Sequence, residues 1–220
     1  MTETFFETLR RENGANWSAA VTHRFVRELL DGSIPDAVMA GYLVQDHRFL
    51  DAFLTLLGAA IASADRFESR LVLGRFVGLV SGEENDYFLR AFEALGVSAG
   101  DRAAIPDAAA TTGFKAIMRE AAASGSYAAA LAVLNVAEGL YLDWAMRARD
   151  PLPENFVHAE WIRLHDNPQF REFVAFLRAE LDRVGPAAAD RARDFFGRAV
   201  ALEVAFFDAA CQSAEAAVSP

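Results

Sequence analysis

The chain has 220 residues, a length that fits one large domain, and 53% of them are hydrophobic, enough to bury a sizeable core. Asp and Glu number 31 against 21 Lys and Arg, and the net charge of −10 argues against a nucleic-acid partner held on a basic surface. The single cysteine, Cys211, excludes an intrachain disulfide framework and any zinc site built on several thiolates.

The stretch Met1-Thr2-Glu3-Thr4-Phe5 has neither a basic n-region nor an apolar h-region. The most apolar span, Phe49 to Ala64, is too short and interrupted to cross a bilayer. The expectation is a soluble, cytoplasmic protein with no membrane partner. Alanine is abundant, β-branched residues are thinly spread, and the seven prolines fall mostly between periodic segments. That profile predicts an all-α protein.

In chain order, a short amphipathic helix is expected over Thr2–Glu12, closed by Asn13-Gly14. A second is expected from Trp17 to Leu30, with Trp17, Val21, Phe25 and Leu29 at helical spacing. Asp31-Gly32-Ser33-Ile34-Pro35 reads as a stop and restart, with Gly32 suited to the residue just past a helix end. The pattern is then helical from Asp36 to Ala64, as one core helix or as two helices meeting at a bend near Gly58. It is helical again from Asp65 to Leu95, with a kink or a break at Ser81-Gly82-Glu83, and Val97–Asp107 reads as a connection. Further helices are expected over Ala109–Ser124, Tyr127–Arg149, Glu154–Leu164, Pro168–Val184 and Ala187–Ala214. No linker appears, so residues 1–215 are read as one helical domain and 216–220 as a flexible tail.

Three helical segments carry an acid among apolar neighbours. Asp46 lies four residues after Tyr42 and three before Phe49, so that on one helix all three would share a face. Glu138 and Tyr141 are i,i+3 neighbours, and Glu203 is flanked by aliphatic residues one turn before Phe206 and Phe207. A carboxylate desolvated in this way has a raised pKa and can exchange protons near neutrality. Asp143 and Asp208 are expected to be ordinary solvated acids.

His23-Arg24-Phe25-Val26, Leu30-Asp31-Gly32-Ser33-Ile34-Pro35 and Tyr42-Leu43-Val44-Gln45-Asp46 together resemble the N-terminal signature of the TenA/THI-4 family. The likeness continues through Gly125-Ser126-Tyr127, Tyr141-Leu142-Asp143-Trp144-Ala145, Trp161-Ile162 and Glu203-Val204-Ala205-Phe206-Phe207-Asp208, and so spans nearly the whole chain. This resemblance implies an all-α, haem-oxygenase-like helical bundle that assembles as a homo-oligomer, commonly a tetramer. It also implies an activity, thiaminase II or aminopyrimidine aminohydrolase, in salvage of the thiamin pyrimidine, with a small pyrimidine or related heteroaromatic amine as substrate and no cofactor. By the same resemblance Asp46 anchors the ring, Glu203 matches the catalytic glutamate and Tyr141 matches a pocket tyrosine. Phe49, Phe114, His165, Tyr42 and Phe207 complete the expected lining, and another acidic family position falls near Glu84.

The departures from the family pattern are as informative. The commoner branch carries a nucleophilic cysteine in a Pro-Cys-x-x-x-Tyr pattern, whereas Val136 and Ala137 stand here. Cys211, two turns past Glu203, does not align with it. Glu138 follows the missing cysteine directly, and resembles a second branch that relies on paired glutamates. Phe49, Phe114 and His165 stand where tyrosine is usual, which keeps stacking surface and removes hydroxyl donors.

Two other functions fit the same residues: a non-catalytic relative that binds a pyrimidine as carrier or regulator, and, with less support, an oxygenase on the same fold. A dimetal oxygenase would favour Glu-x-x-His pairs on facing helices, and the sequence has none. No metal ligand is therefore assigned. His23 is read as structural or interfacial, His47 as pointing away from Asp46, and His158 as a surface residue.

Overall fold

A computed structural model describes residues 3–218, with side chains as far as residue 212. No strand occurs among the described residues. The helices are α1 (Phe5–Glu12), α2 (Gly14–Val21), α3 (Arg24–Asp31), α4 (Asp36–His47), α5 (Phe49–Ser63), α6 (Phe67–Leu79) and α7 (Asn85–Ala94). They continue with α8 (Ala99–Ala104), α9 (Ala109–Ala123), α10 (Tyr127–Ala145), α11 (Phe156–His165), α12 (Pro168–Val184) and α13 (Ala189–Val218). A π-helical turn, Val80–Glu84, joins α6 to α7, and a 3₁₀ turn, Gly185–Ala188, joins α12 to α13.

Helix α10 is the axis of the bundle and packs against α5, α9, α12 and α13. Along its length only Ala137 and Asp143 escape full burial. A helix apolar on every side must be surrounded by others, and its small residues let them come close: the Trp17 ring tip stands 3.6 Å from where a Cβ on Gly139 would be. At one end of the bundle Trp17 stacks on Phe196 at 5.9 Å, with the Phe6 ring edge-on to both.

Several boundaries follow from local chemistry. Thr4 and Glu7 form a reciprocal capping box at α1, as do Ser98 and Asp101 at α8. Asn167 caps α12, where Pro168 occupies the first turn. Gly32 closes α3 with φ of 77°, a left-handed conformation that a β-carbon would strain.

Elsewhere the structure corrects the expected elements. The segment expected as one helix over 17–30 is two, because His23 leaves helical geometry and its Nδ1 accepts the Phe25 N–H as a cap. The bend expected at Gly58 falls instead at Arg48, while Gly58 stays inside α5. The Arg48 guanidinium is held by Asp107 and by the carbonyls of Arg102 and Ile105, which ties the bend to the segment before α9. That segment was expected to be a plain connection, yet it holds α8. The kink at Ser81-Gly82-Glu83 takes the form of the π-turn. Helix α13 continues to Val218, into the stretch expected as a tail, and the remaining tail residues 219–220 lie outside the described residues.

Two polar residues also differ from expectation. His158 is buried rather than at the surface, and neither ring nitrogen has a hydrogen-bond partner; burial lowers its pKa. Asp143 is not freely solvated: its Oδ2 accepts from the Trp17 indole at 2.7 Å and from Arg10 at 2.8 Å. Asp208 is exposed, as expected, and meets His23 Nε2 at 3.1 Å.

Candidate functional site: an acidic cavity with aromatic walls

A cavity of about 490 Å³, counted to its mouth, opens beside α10. Its wall is drawn from α4, α5, α9, α10, α11 and α13 and from the π-turn. Seven of the nine residues expected at the site line it: Asp46, Phe49, Phe114, Glu138, Tyr141, His165 and Glu203. Tyr42 and Phe207 do not line it, which corrects their expected place. Both are fully buried one layer behind, where their rings lie 6.4 Å apart and the Tyr42 hydroxyl supports Tyr141.

Asp46 lies in the last turn of α4 and Phe49 opens α5, so the bend at Arg48 separates them and they do not share one helix. Both nonetheless line the cavity. Tyr141 Oη approaches Asp46 Oδ1 at a long 3.5 Å and lies 2.8 Å from Tyr42 Oη. With Asp46 ionised, the hydrogens run in one direction: Tyr42 donates to Tyr141, which donates to Asp46.

On α10, Ala137, Glu138 and Tyr141 reach the cavity through i,i+3 and i,i+4 spacing. Glu138 is buried and faces the interior. Glu203 enters from α13, 2% exposed, and its Oε2 has no partner within the protein. A buried polar atom without a partner is costly, and a cavity-facing one is a natural contact for a ligand.

Glu84 is the fourth acid; the resemblance set an acidic family position near it, but it was not counted among the expected lining residues. The π-turn inserts an extra residue into the helical path, so simple 3.6-residue spacing does not bring Glu84 to the cavity. The signal that could have found it is an acidic pair directly after Gly82 in an otherwise amphipathic run. Trp161, which belongs to a block of the family resemblance, also lines the cavity, as do Leu50, Phe53 and Met118; in the sequence the last three are indistinguishable from ordinary core.

The electrostatics follow from this clustering. Desolvation raises the pKa of Asp46 well above the carboxylate range, and the Glu84 charge adds to the effect. Glu138 is raised by burial and by Glu84 and Asp46; Glu203 is raised by burial and by Asp46 and Glu138. Desolvation lifts Glu84 to about 7. Four neighbouring carboxyls in a poorly solvated space cannot all ionise, so they share protons as a coupled set.

No Lys or Arg lines the cavity. Its one basic side chain, His165, is held at a pKa of about 4 by burial. His165 Nδ1 lies 2.9 Å from the Trp161 carbonyl, which only accepts, so Nδ1 carries the hydrogen and Nε2 is left as an acceptor. His47, as expected, turns away, towards Asn85 and the rings of Phe88 and Phe92.

The aromatic walls are rigidly backed. Phe49 and Phe114 meet at 5.2 Å, and Phe206 packs behind Phe49 at 4.8 Å. Across the cavity, Trp161 and His165 pack edge-on at 4.4 Å, with Tyr141 against His165 at 4.8 Å. Acid oxygens set between apolar ring faces suit a flat, nitrogen-bearing, neutral or cationic molecule, and disfavour an anion. Among the described residues no three His, Cys, Asp or Glu side chains converge in a way that would hold a metal ion, and no helix is long and apolar enough to cross a membrane.

Comparison with known proteins places this geometry. The chain is similar to an aminopyrimidine aminohydrolase of Halalkalibacterium halodurans, at 23% identity over 76% of this chain and 75% of that protein. The fold matches a TenA homologue of P. horikoshii OT3 with a TM-score of 0.85, at 21% identity over 95% of this chain and 99% of the other. It also matches a domain from Shewanella denitrificans described as having a heme oxygenase-like fold, with a TM-score of 0.64 and 17% identity over 97% and 95% of the two chains. The bundle is thus of the haem-oxygenase-like type. A profile of the TENA/THI-4/PQQC family covers residues 12–213, and the chain belongs to that family.

Proposed function

We propose that the protein is a hydrolase of the thiaminase II type, which cleaves the bond between an aminopyrimidine's methylene carbon and its amine nitrogen. The observation that carries this reading is the convergence of four carboxyls on one aromatic-walled cavity without a lining cation. The similarity to an aminopyrimidine aminohydrolase supports it.

Each residue has a role that its surroundings favour. Asp46, steadied by Tyr141, accepts hydrogen bonds from the ring's amino group and protonated nitrogen. Phe49 and Phe114 stack on the ring. Glu203, buried and protonated, gives its proton to the leaving amine as the C–N bond breaks with the electron pair going to nitrogen. Glu138 takes a proton from the water that forms the new C–O bond. The products are the hydroxymethyl pyrimidine and the free amine, and proton exchange between the two glutamates resets the site. Such acid and base assistance contributes roughly 10²–10⁴-fold each.

The test is chromatographic release of hydroxymethylpyrimidine from 4-amino-5-aminomethyl-2-methylpyrimidine and from thiamin. Glu203→Gln should lower kcat by about 10²–10⁴-fold, and unchanged activity would overturn the catalytic assignment. One observation favours a second reading, a pyrimidine-binding protein without turnover: Ala137, with no nucleophile, stands at the position the family commonly gives to cysteine. Tight binding of the pyrimidine with no product from the unmodified protein would select it.

A further inference from the structure

A separate recess of about 670 Å³, counted to its mouth, lies where α1, the start of α2 and the end of α10 meet, and it shares no lining residue with the acidic cavity. Its volume falls in the range of small-molecule sites. The charged part of its wall is Arg10, Arg11 and Arg147 against one acid, Glu7. The acidic cavity has carboxyls and no lining cation; this recess has the opposite balance, in a chain whose net charge is −10.

The acids at hand do not cancel the positive charge. Glu7 Oε2 accepts the Thr4 N–H as one half of the α1 capping box. Glu3 holds Arg11 through Nε and Nη2, at 2.9 and 3.1 Å. Asp143 Oδ2 accepts from both Arg10 Nη2 and the Trp17 indole. Asp143 also attracts Arg178, which Arg10 repels and whose Nε is buried without a partner. Arg147 has no carboxylate among the described residues: its Nε donates to the Asp143 main-chain carbonyl at 3.2 Å, and both Nη groups remain as donors. One carboxylate therefore answers Arg10 and Arg178 together, and Arg147 is left unpaired. A guanidinium presents its donors in a planar fork that fits the oxygens of a phosphate.

We propose that this recess binds the phosphate group of a small phosphate ester. Arg147 and Arg10 hold the phosphate, the Ser18 hydroxyl stands on the same wall, and the organic part lies against Trp17 and Val21. Bare phosphate would leave most of the recess empty, which favours an ester. The overall charge of −10 repels an anionic bilayer or a nucleic-acid backbone, which favours a small molecule. The site does not depend on what the acidic cavity takes.

The test uses benzyl phosphate and its neutral counterpart, benzyl alcohol, in calorimetry and in NMR of the Trp17 indole N–H, which is bonded to the carboxylate that Arg10 shares. Benzyl phosphate should bind and shift that resonance, benzyl alcohol should leave it in place, and added salt should weaken the binding. Arg147→Gln removes the unpaired cation, and Ser18→Glu sets a negative charge on the wall at an exposed position. Each should weaken benzyl phosphate binding by roughly tenfold or more, with the thermal unfolding midpoint showing that the variants are folded. Arg149→Gln, at an exposed position outside the recess, should bind as the unmodified protein does. No binding by the unmodified protein, an equal response to benzyl alcohol, undiminished binding by Arg147→Gln or Ser18→Glu, or an equal loss in Arg149→Gln would overturn the site. Vesicles containing phosphatidic acid should leave the protein in solution; vesicle binding without a response to benzyl phosphate would overturn the small-molecule reading.

Discussion

Glu84 gives the folded protein a pH dependence that can be worked through from its position. The π-turn sets its partly buried carboxyl on the wall of the acidic cavity, and desolvation raises its pKa from 4.5 to about 7. An unfolded chain releases this proton near 4.5, and the folded chain holds it to about 7. Between those values the folded state binds more protons, so its contribution to stability falls as pH rises, and levels off above about 7. The whole gap corresponds to about 3 kcal/mol; partial exposure and solvent screening reduce it to about 1–2 kcal/mol. Glu84→Gln removes the titration and keeps most of the side chain's volume. In urea unfolding at pH 5 and pH 8, the unmodified protein should lose about 1–2 kcal/mol more than the variant over that interval. Removing Glu84 also relieves its repulsion of Asp46 and Glu138, which acts in the same direction. Parallel pH profiles for the two proteins would refute the desolvated placement of Glu84.

Other consequences are open to direct test. Tyr141→Phe removes the contact to Asp46 and leaves the buried Tyr42 hydroxyl without its Tyr141 partner; thermal or urea unfolding should show a loss of about 1–3 kcal/mol. Gly185→Ala would set a Cβ 2.5 Å from the Phe5 ring and 3.1 Å from Leu181 Cδ1. The cost should be about 1–3 kcal/mol, and a neutral result would contradict that packing between the chain start and α12. His165, with its pKa near 4, should show no imidazole titration between pH 6 and 8 by NMR; a midpoint in that interval would contradict its burial.

The helical architecture was legible in the sequence wherever local chemistry decided it. Pro168–Val184 was read with its true bounds, because Asn167-Pro168 and Gly185-Pro186 mark both ends. The break at His23 was not legible, since an imidazole cap is set by how its ring lies against the Phe25 amide and not by residue type alone. Arg48 was passed over in favour of Gly58 because its cause lies in distant partners, Asp107 and two carbonyls in and after α8. At the site, Asp46, Glu138 and Glu203 each stood out as an acid in an apolar run, but periodicity within one helix carries nothing about which helices meet. Their association came from resemblance to a family, and the packing of α4, α10 and α13 brings them to one cavity. Tyr42 and Phe207 share the apolar surroundings of the true lining, and only the packing shows that they stand behind it.

The central claim is that this acidic cavity recognises an aminopyrimidine through Asp46. Calorimetric titration of 4-amino-5-aminomethyl-2-methylpyrimidine into the unmodified protein and into Asp46→Asn tests it most directly. The account predicts binding by the unmodified protein and an affinity at least tenfold lower in the variant, a loss of about 1.4 kcal/mol or more. Equal affinities, or no binding by the unmodified protein, would contradict it.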